Sequence, residues 1–111
     1  MLFAGLRKIR EFERQRLPFL SSLADFDILI EIGYAEEQHR PLVLKQIFLL
    51  NLCSDSTVRR KLSRLIAKGI VRRQTNAADR RSSVLTISPA SRKLLARYAR
   101  LASSVFVPLD R

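Results

Sequence analysis

The chain has no tryptophan, one methionine, one cysteine, one histidine, three glycines and four prolines among its 111 residues. A lone cysteine, Cys53, cannot form an intrachain disulfide, so the fold must be held by burial, and a reducing compartment suffices. So few Gly and Pro, with 47% hydrophobic residues, exclude a collagen-like or disordered chain and point to a helix-rich globule. A chain of this length is expected to form one domain that buries roughly 60–70% of the surface its unfolded form exposes. No apolar run approaches the roughly 18 residues of a spanning helix, because Asp25, Asp27 and Glu31 interrupt the most hydrophobic stretch. The opening Met-Leu-Phe-Ala-Gly-Leu precedes the first arginine, the reverse of a signal peptide's order, so a cytoplasmic protein outside the membrane is expected.

Catalytic machinery is equally scarce. His39 stands beside Glu36, Glu37 and Arg40 with no second ligand at metal-binding spacing, and reads as an exposed loop residue. Gly5, Gly33 and Gly69 are too scattered to form a phosphate loop, and no serine is arranged with a histidine for nucleophilic attack. Cys53 reads as a small buried core residue rather than an oxidant sensor. No catalytic residue, no metal and no cofactor are expected, and the chain is not read as an enzyme.

Acidic residues are missing from one half only. Residues 1–54 carry seven acids and seven bases, whereas residues 55–111 carry three acids and fourteen bases, so the whole net charge of +11 lies in the second half. Between positions 59 and 81 stand Arg59, Arg60, Lys61, Arg64, Lys68, Arg72, Arg73, Arg80 and Arg81, against the single acid Asp79. Such a density repels itself unless a polyanion is present, and nucleic acid is the first candidate. The bland alternative is a solubilising surface. A membrane-surface patch fits less well, since no Trp-bearing amphipathic face accompanies the charge.

Leu2, Leu6, Ile9 and Phe12 recur at helical spacing opposite Arg7, Lys8, Arg10, Glu11 and Arg14, predicting an amphipathic helix that Pro18 ends. Ser22 or Asp25 can cap a second, acidic helix that runs to about Glu37, whose five acids read as a solvated face rather than a dock for a protein partner. Arg40-Pro41 breaks the chain before a short extended stretch at 42–44, and an almost wholly apolar run predicts a helix over 45–52. A turn of a few residues at Cys53-Ser54-Asp55 leads into a helix over about 56–68, with Val58, Leu62, Leu65 and Ile66 on one stripe and Gly69 where a left-handed cap is wanted. Residues 70–74 and 83–87 are β-type runs joined by a polar segment, a hairpin with a basic tip. Ser88-Pro89 opens a last helix whose stripe of Leu94, Leu95, Tyr98, Leu101, Ala102 and Val105 runs until Pro108.

Stepping about 100° per residue from Val58, the helix over 56–68 turns Ser56, Thr57, Arg60, Ser63 and Arg64 away from its apolar stripe. Small hydroxyls at its first turn let a phosphate approach the free N–H groups of the helix end, while Arg60 and Arg64 are long enough to reach base edges. Arg59 and Lys61 fall on the flanks, where phosphate contacts are expected.

Ser56-Thr57-Val58, then Leu65, then Lys68-Gly69-Ile70-Val71-Arg72-Arg73, then Asp79-Arg80-Arg81-Ser82 resemble the winged helix-turn-helix of MarR-type bacterial transcription regulators over about residues 42–91. The resemblance implies a mainly α (α+β) domain over 1–111. It has a helix-turn-helix and two-stranded antiparallel wing at 42–88, and terminal helices at 1–17 and 89–107 through which such regulators dimerise. It implies double-stranded DNA as partner, with Arg80 and Arg81 on a wing that lies along or in the minor groove, Arg81 inserted and Asp79 orienting it. Ile87-Ser88 takes the place of the Leu-Thr that usually closes the wing. Phe48 and Leu52 depart from the family's Ala and Gly. Relatives often bind phenolic or lipophilic effectors, but nothing in this chain marks such a pocket. The function expected is a sequence-specific transcription regulator acting by operator occupancy. Two rivals stand beside it: a nucleic-acid-binding module for replication or mobile-element control, and a protein-interaction winged helix that binds through its acidic second helix.

Overall fold

Among the described residues, hydrophobic spacing is realised as five helices and one hairpin: α1 (Leu2–Arg16), α2 (Leu23–Glu37), α3 (Gln46–Leu49), α4 (Asp55–Ala67), β1 (Val71–Thr75), β2 (Ser83–Ile87) and α5 (Pro89–Val105). The computed structural model describes residues 1–105, so the expected helix end at Pro108 and positions 106 and 107 lie outside the described residues. The chain divides into two compact units, Met1–Leu20 together with the segment from Pro89, and Ser21–Ser88.

In the larger unit, α2 turns Ile28, Leu29 and Ile32 inward to pack on β2 and α4, where they meet Ile47, Val58, Leu62, Leu65, Val71, Leu85 and Ile87 in one buried core. Each fully buried aliphatic side chain there contributes roughly 1.5–3 kcal/mol through removal of its surface from water. Both expected caps of α2 are used: Ser22 is the N-cap, and the Asp25 carboxylate reaches back to accept its N–H at 2.9 Å. The helix ends with His39 at φ 59°, whose N–H donates to the Glu36 carbonyl while that of Arg40 donates to the Ala35 carbonyl. His39 is thus an exposed left-handed cap in a position that more often falls to glycine.

The helix expected over 45–52 is realised only as the single turn Gln46–Leu49. Asn51 adopts φ 54° and breaks it, a conformation Asn tolerates better than most side chains. The left-handed residue of this turn therefore precedes Leu52 by one position, which accounts for the absence of a glycine at 52. Cys53, expected in the core, is half-buried in the same turn, immediately before the N-cap of α4. That cap is Ser54, whose Oγ accepts the Thr57 N–H. At the far end, Gly69 takes φ 74°, its N–H donating to the Ile66 carbonyl and that of Ile70 to the Leu65 carbonyl at 2.9 Å. This pair of bonds closes the helix and turns the chain straight into the hairpin.

β1 and β2 are antiparallel, with Val71 opposite Ile87 and Thr75 opposite Ser83. The extended stretch at 42–44 lies on the other edge of β2: Val43 bridges Val84, Leu44 N–H donates to the Ser83 carbonyl and Leu85 N–H to the Leu42 carbonyl.

In the smaller unit α1 packs along α5. They meet tightly at Gly5, the one buried residue of α1, where a Cβ would overlap the Val105 side chain. Further along, Tyr98 donates its hydroxyl to Glu13 Oε2 at 2.6 Å, its ring lies 5.8 Å from that of Phe12, and the Arg97 guanidinium stands over Phe12. Leu2, Phe3 and Leu6 remain exposed.

Candidate nucleic-acid interface

Burial around α4 decides which of its polar residues are offered outward. Val58, Leu62 and Leu65 are in the core, and the covered stripe extends sideways to Lys61, whereas Ser56, Arg59, Arg60 and Ser63 are exposed and Thr57 is half-covered. The open face therefore centres on Arg60.

Two expectations are corrected here. Lys61 is not a flanking phosphate contact: it is buried, donating to Ser22 Oγ at 2.9 Å and pairing with Asp25 Oδ1 at 3.4 Å. Arg64, expected to reach base edges, instead has its Nη2 donating to the same Asp25 oxygen at 3.0 Å and to Ser21 Oγ. The physical reason is an acid remote in sequence. Asp25 is fully buried at the start of α2, and the cations one turn apart on α4 are its only charged partners among the ion pairs of the described residues. Its other oxygen accepts from the N–H and hydroxyl of both Ser21 and Ser22. Burial alone raises such a carboxyl's pKa, but the hydrogen bonds from Ser21, the charge of Lys61 and the hydrogen bond from Arg64 outweigh it and hold Asp25 below the ordinary carboxylate value. Lys61 lies about 300° around from Val58, next to Leu65, and that proximity to the apolar stripe was the signal available in the sequence.

Arg59 is tied to a residue that the sequence marked only as a departure. Its guanidinium stands 5.0 Å from the centre of the Phe48 ring, a cation–π contact linking α4 to α3 across the turn. The half-buried Phe48 ring gives Arg59 a platform that an Ala would not supply.

The hairpin tip is built by small polar side chains. Asn76 Oδ1 accepts the Ala78 N–H, Asp79 N–H donates to the Asn76 carbonyl, and Ser82 N–H donates to that of Asp79. Asp79 Oδ1 accepts both the backbone N–H of Arg81 and its Nε, so the Arg81 side chain starts in a defined direction while remaining 93% exposed. Arg80 is exposed beside it. Between this tip and the start of α3 lies an open depression of about 520 Å³, lined by Leu44, Lys45, Phe48, Arg73 and Arg81 among others. Arg73 was marked in the sequence only as part of the basic run, without a contact of its own, and Lys45 was not marked as a basic contact. Arg73 is exposed on β1, where only Val71 is buried, and is held by Ser83 Oγ at 3.1 Å, and Lys45 stands immediately before α3.

No group of three metal-ligating side chains exists among the described residues, and no described helix is long and apolar enough to cross a membrane.

A helix-turn-helix followed by a paired hairpin can be compared with solved structures directly. No protein-family model matches the chain, and no curated protein sequence matches it. Among solved structures, a transcriptional regulator from Thermotoga maritima is similar with a TM-score of 0.65 and 26% identity, over 93% of this chain and 70% of that one. A MarR variant from E. coli complexed with operator DNA is similar with a TM-score of 0.60 and 18% identity, over 94% of this chain and 73% of that one. The chain has the MarR-type winged-helix fold. The transcriptional repressor CouR, solved bound to a 23-mer DNA duplex, is similar with a TM-score of 0.59 and 24% identity, over 91% of this chain and 68% of that one. In the MarR-type fold, α3 and α4 are the helix-turn-helix and β1 with β2 is the wing.

Proposed function

We propose that the protein is a sequence-specific double-stranded-DNA-binding transcription regulator that acts in the cytoplasm by occupying its operator as a twofold homodimer. The observation that carries this reading is the exposed stripe of α4 centred on Arg60, set in the same unit as a hairpin tipped by Arg80 and Arg81. Solved proteins of the same fold include complexes with operator DNA and with a DNA duplex.

In this reading α4 enters the major groove. Ser56 and Thr57, at its first turn, admit a phosphate to the helix end, and Arg60 reaches base edges, where a bidentate contact to guanine discriminates by about 1–3 kcal/mol. Arg59, braced on Phe48, meets a phosphate, as do Lys45, just before α3, and Arg73, midway along β1. Arg81, aimed by Asp79, enters the minor groove, whose narrow A·T-rich stretches attract a guanidinium. Pairing through α1 and α5 accounts for exposed Leu2, Phe3 and Leu6 and for a stripe on α5 that is only half-buried from Leu94 to Val105. A twofold dimer presents two copies of α4 to major grooves about 34–36 Å apart.

Selection of bound fragments from random duplexes tests this. The expected product is a pseudo-palindrome. The logarithm of affinity is expected to fall linearly with that of salt, by about 0.9 per neutralised phosphate. Arg60→Ala should cost roughly 1–3 kcal/mol and relax choice at one position of each half-site. A flat salt response, or no enrichment of any sequence, overturns the reading.

A further inference from the structure

The corrected positions of Lys61 and Arg64 have a functional side that neither the sequence resemblance nor the comparisons assign. Both cations approach one atom, Asp25 Oδ1, from successive turns of α4, and Asp25 is itself immobilised through Oδ2 by four hydrogen bonds from Ser21 and Ser22. Two anchors one turn apart fix the rotation of α4 about its own axis as well as its distance from α2, and that rotation sets where Arg60 points. The partners differ in their freedom to leave. The Lys61 side chain is 11% exposed and bound to Ser22, whereas that of Arg64 is 34% exposed, at the edge between the covered and open faces. Released from Asp25, the Arg64 side chain is long enough to swing toward solvent, where a DNA phosphate is the strongest competitor. In place, it faces a carboxylate that water does not reach, and attraction to a buried charge at 3.0 Å is screened far less than attraction to a solvated phosphate.

We propose that Asp25 is a positioning residue that withholds Arg64 from DNA and sets the rotation of α4, leaving Arg60 as the base-reading arginine of this helix. The inference rests on the DNA-binding reading. It exchanges one sequence-blind phosphate contact for a fixed reading angle, so Asp25 acts as a determinant of specificity without touching the duplex.

The test is the salt dependence of duplex binding by the full chain, wild type against Arg64→Ala, Asp25→Asn and the double variant, using the selected duplex and a scrambled one. Wild type and Arg64→Ala are expected to share one slope. Asp25→Asn should bind with a slope steeper by about 0.9, so that raising salt from about 0.05 to about 0.2 M costs it about 3.5-fold more affinity than wild type. Its preference for the selected duplex should fall, and the added slope should vanish in Asp25→Asn/Arg64→Ala. A purely structural role would weaken binding without adding a phosphate contact that depends on Arg64. The inference is overturned if Arg64→Ala flattens the slope by about 0.9, since Arg64 then already serves a phosphate, or if a folded Asp25→Asn keeps the wild-type slope. If Asp25→Asn does not fold, as judged by circular dichroism, Arg64→Ala alone decides between these outcomes. Wild type that ignores both duplexes sinks the DNA-binding reading, and this inference with it.

Discussion

Raising pH should loosen the α1–α5 pair in a way that can be traced to one proton. Tyr98 donates its hydroxyl to Glu13 Oε2 at 2.6 Å. Burial first, then that hydrogen bond and the charge of Glu13, push its pKa up to about 12, with Arg10 opposing. An unfolded chain releases the same proton near ~10. The folded pKa lies above the unfolded one, so the stabilising contribution is complete below about pH 10 and disappears as pH climbs toward 12. The difference corresponds to at most about 2–3 kcal/mol, and roughly 1–2 kcal/mol once solvent contact of the half-buried ring is allowed for. Tyr98→Phe removes the bond at every pH and leaves Glu13 with Arg10, so it should cost a similar amount at neutral pH and make stability less dependent on pH in that alkaline window than it is in wild type. Urea unfolding followed by circular dichroism between about pH 8 and pH 11 measures both. A Tyr34→Phe background leaves Tyr98 the sole tyrosine, so tyrosinate absorbance reads its ionisation directly. Titration of Tyr98 in the folded protein near pH 10, or a Tyr98→Phe variant that loses as much stability through the alkaline range as wild type, would refute the account.

At the acid end, Asp25 is held below the ordinary carboxylate value, so its contribution is complete above about pH 4 and lost as pH falls through the folded value. Asp25→Asn should destabilise by about 2–3 kcal/mol at neutral pH, less than for a fully enclosed pair because Arg64 is partly solvated, and should flatten the acid limb of a stability-versus-pH curve. Gly5→Ala gains roughly 1 kcal/mol of helix propensity but forces a methyl into Val105, a side chain stiff at χ1, for about 1–3 kcal/mol. A net loss near ~1 kcal/mol is expected, shrinking in Gly5→Ala/Val105→Ala; additive losses in the double-mutant cycle contradict the contact. The two left-handed helix ends should respond with opposite sign. His39→Gly relieves strain at φ 59° and Gly69→Ala introduces it at φ 74°, each by about 0.5–1 kcal/mol in thermal or urea melts.

The parts legible in sequence were those specified locally. Val58, Leu62 and Leu65 at helical spacing, ended by Gly69, left one arrangement for α4, and the change to β-type runs after it placed the hairpin within a residue of its observed strands. The apolar run at 45–52 gave no such control, because a segment without a polar face carries no period, and its end is set by the backbone of Asn51. The partners of Lys61 and Arg64 were hidden for a different reason. A helical projection knows the neighbours on one helix, but the partner that captured both side chains is Asp25, 36 and 39 residues earlier. The clue was the first-turn acid of α2, which capping alone seemed to explain. Phe48 was visible as an anomaly, and only its stacking on Arg59 supplies its role.

The bridge between Val43 and Val84 gives β2 a neighbour on each side. The hairpin is consequently not a free flap hinged at its base: pulling on its tip also tugs the strand that feeds α3. Tilting the wing and opening the helix-turn-helix become one mechanical movement, and a substitution that adjusts either must be tolerated by both.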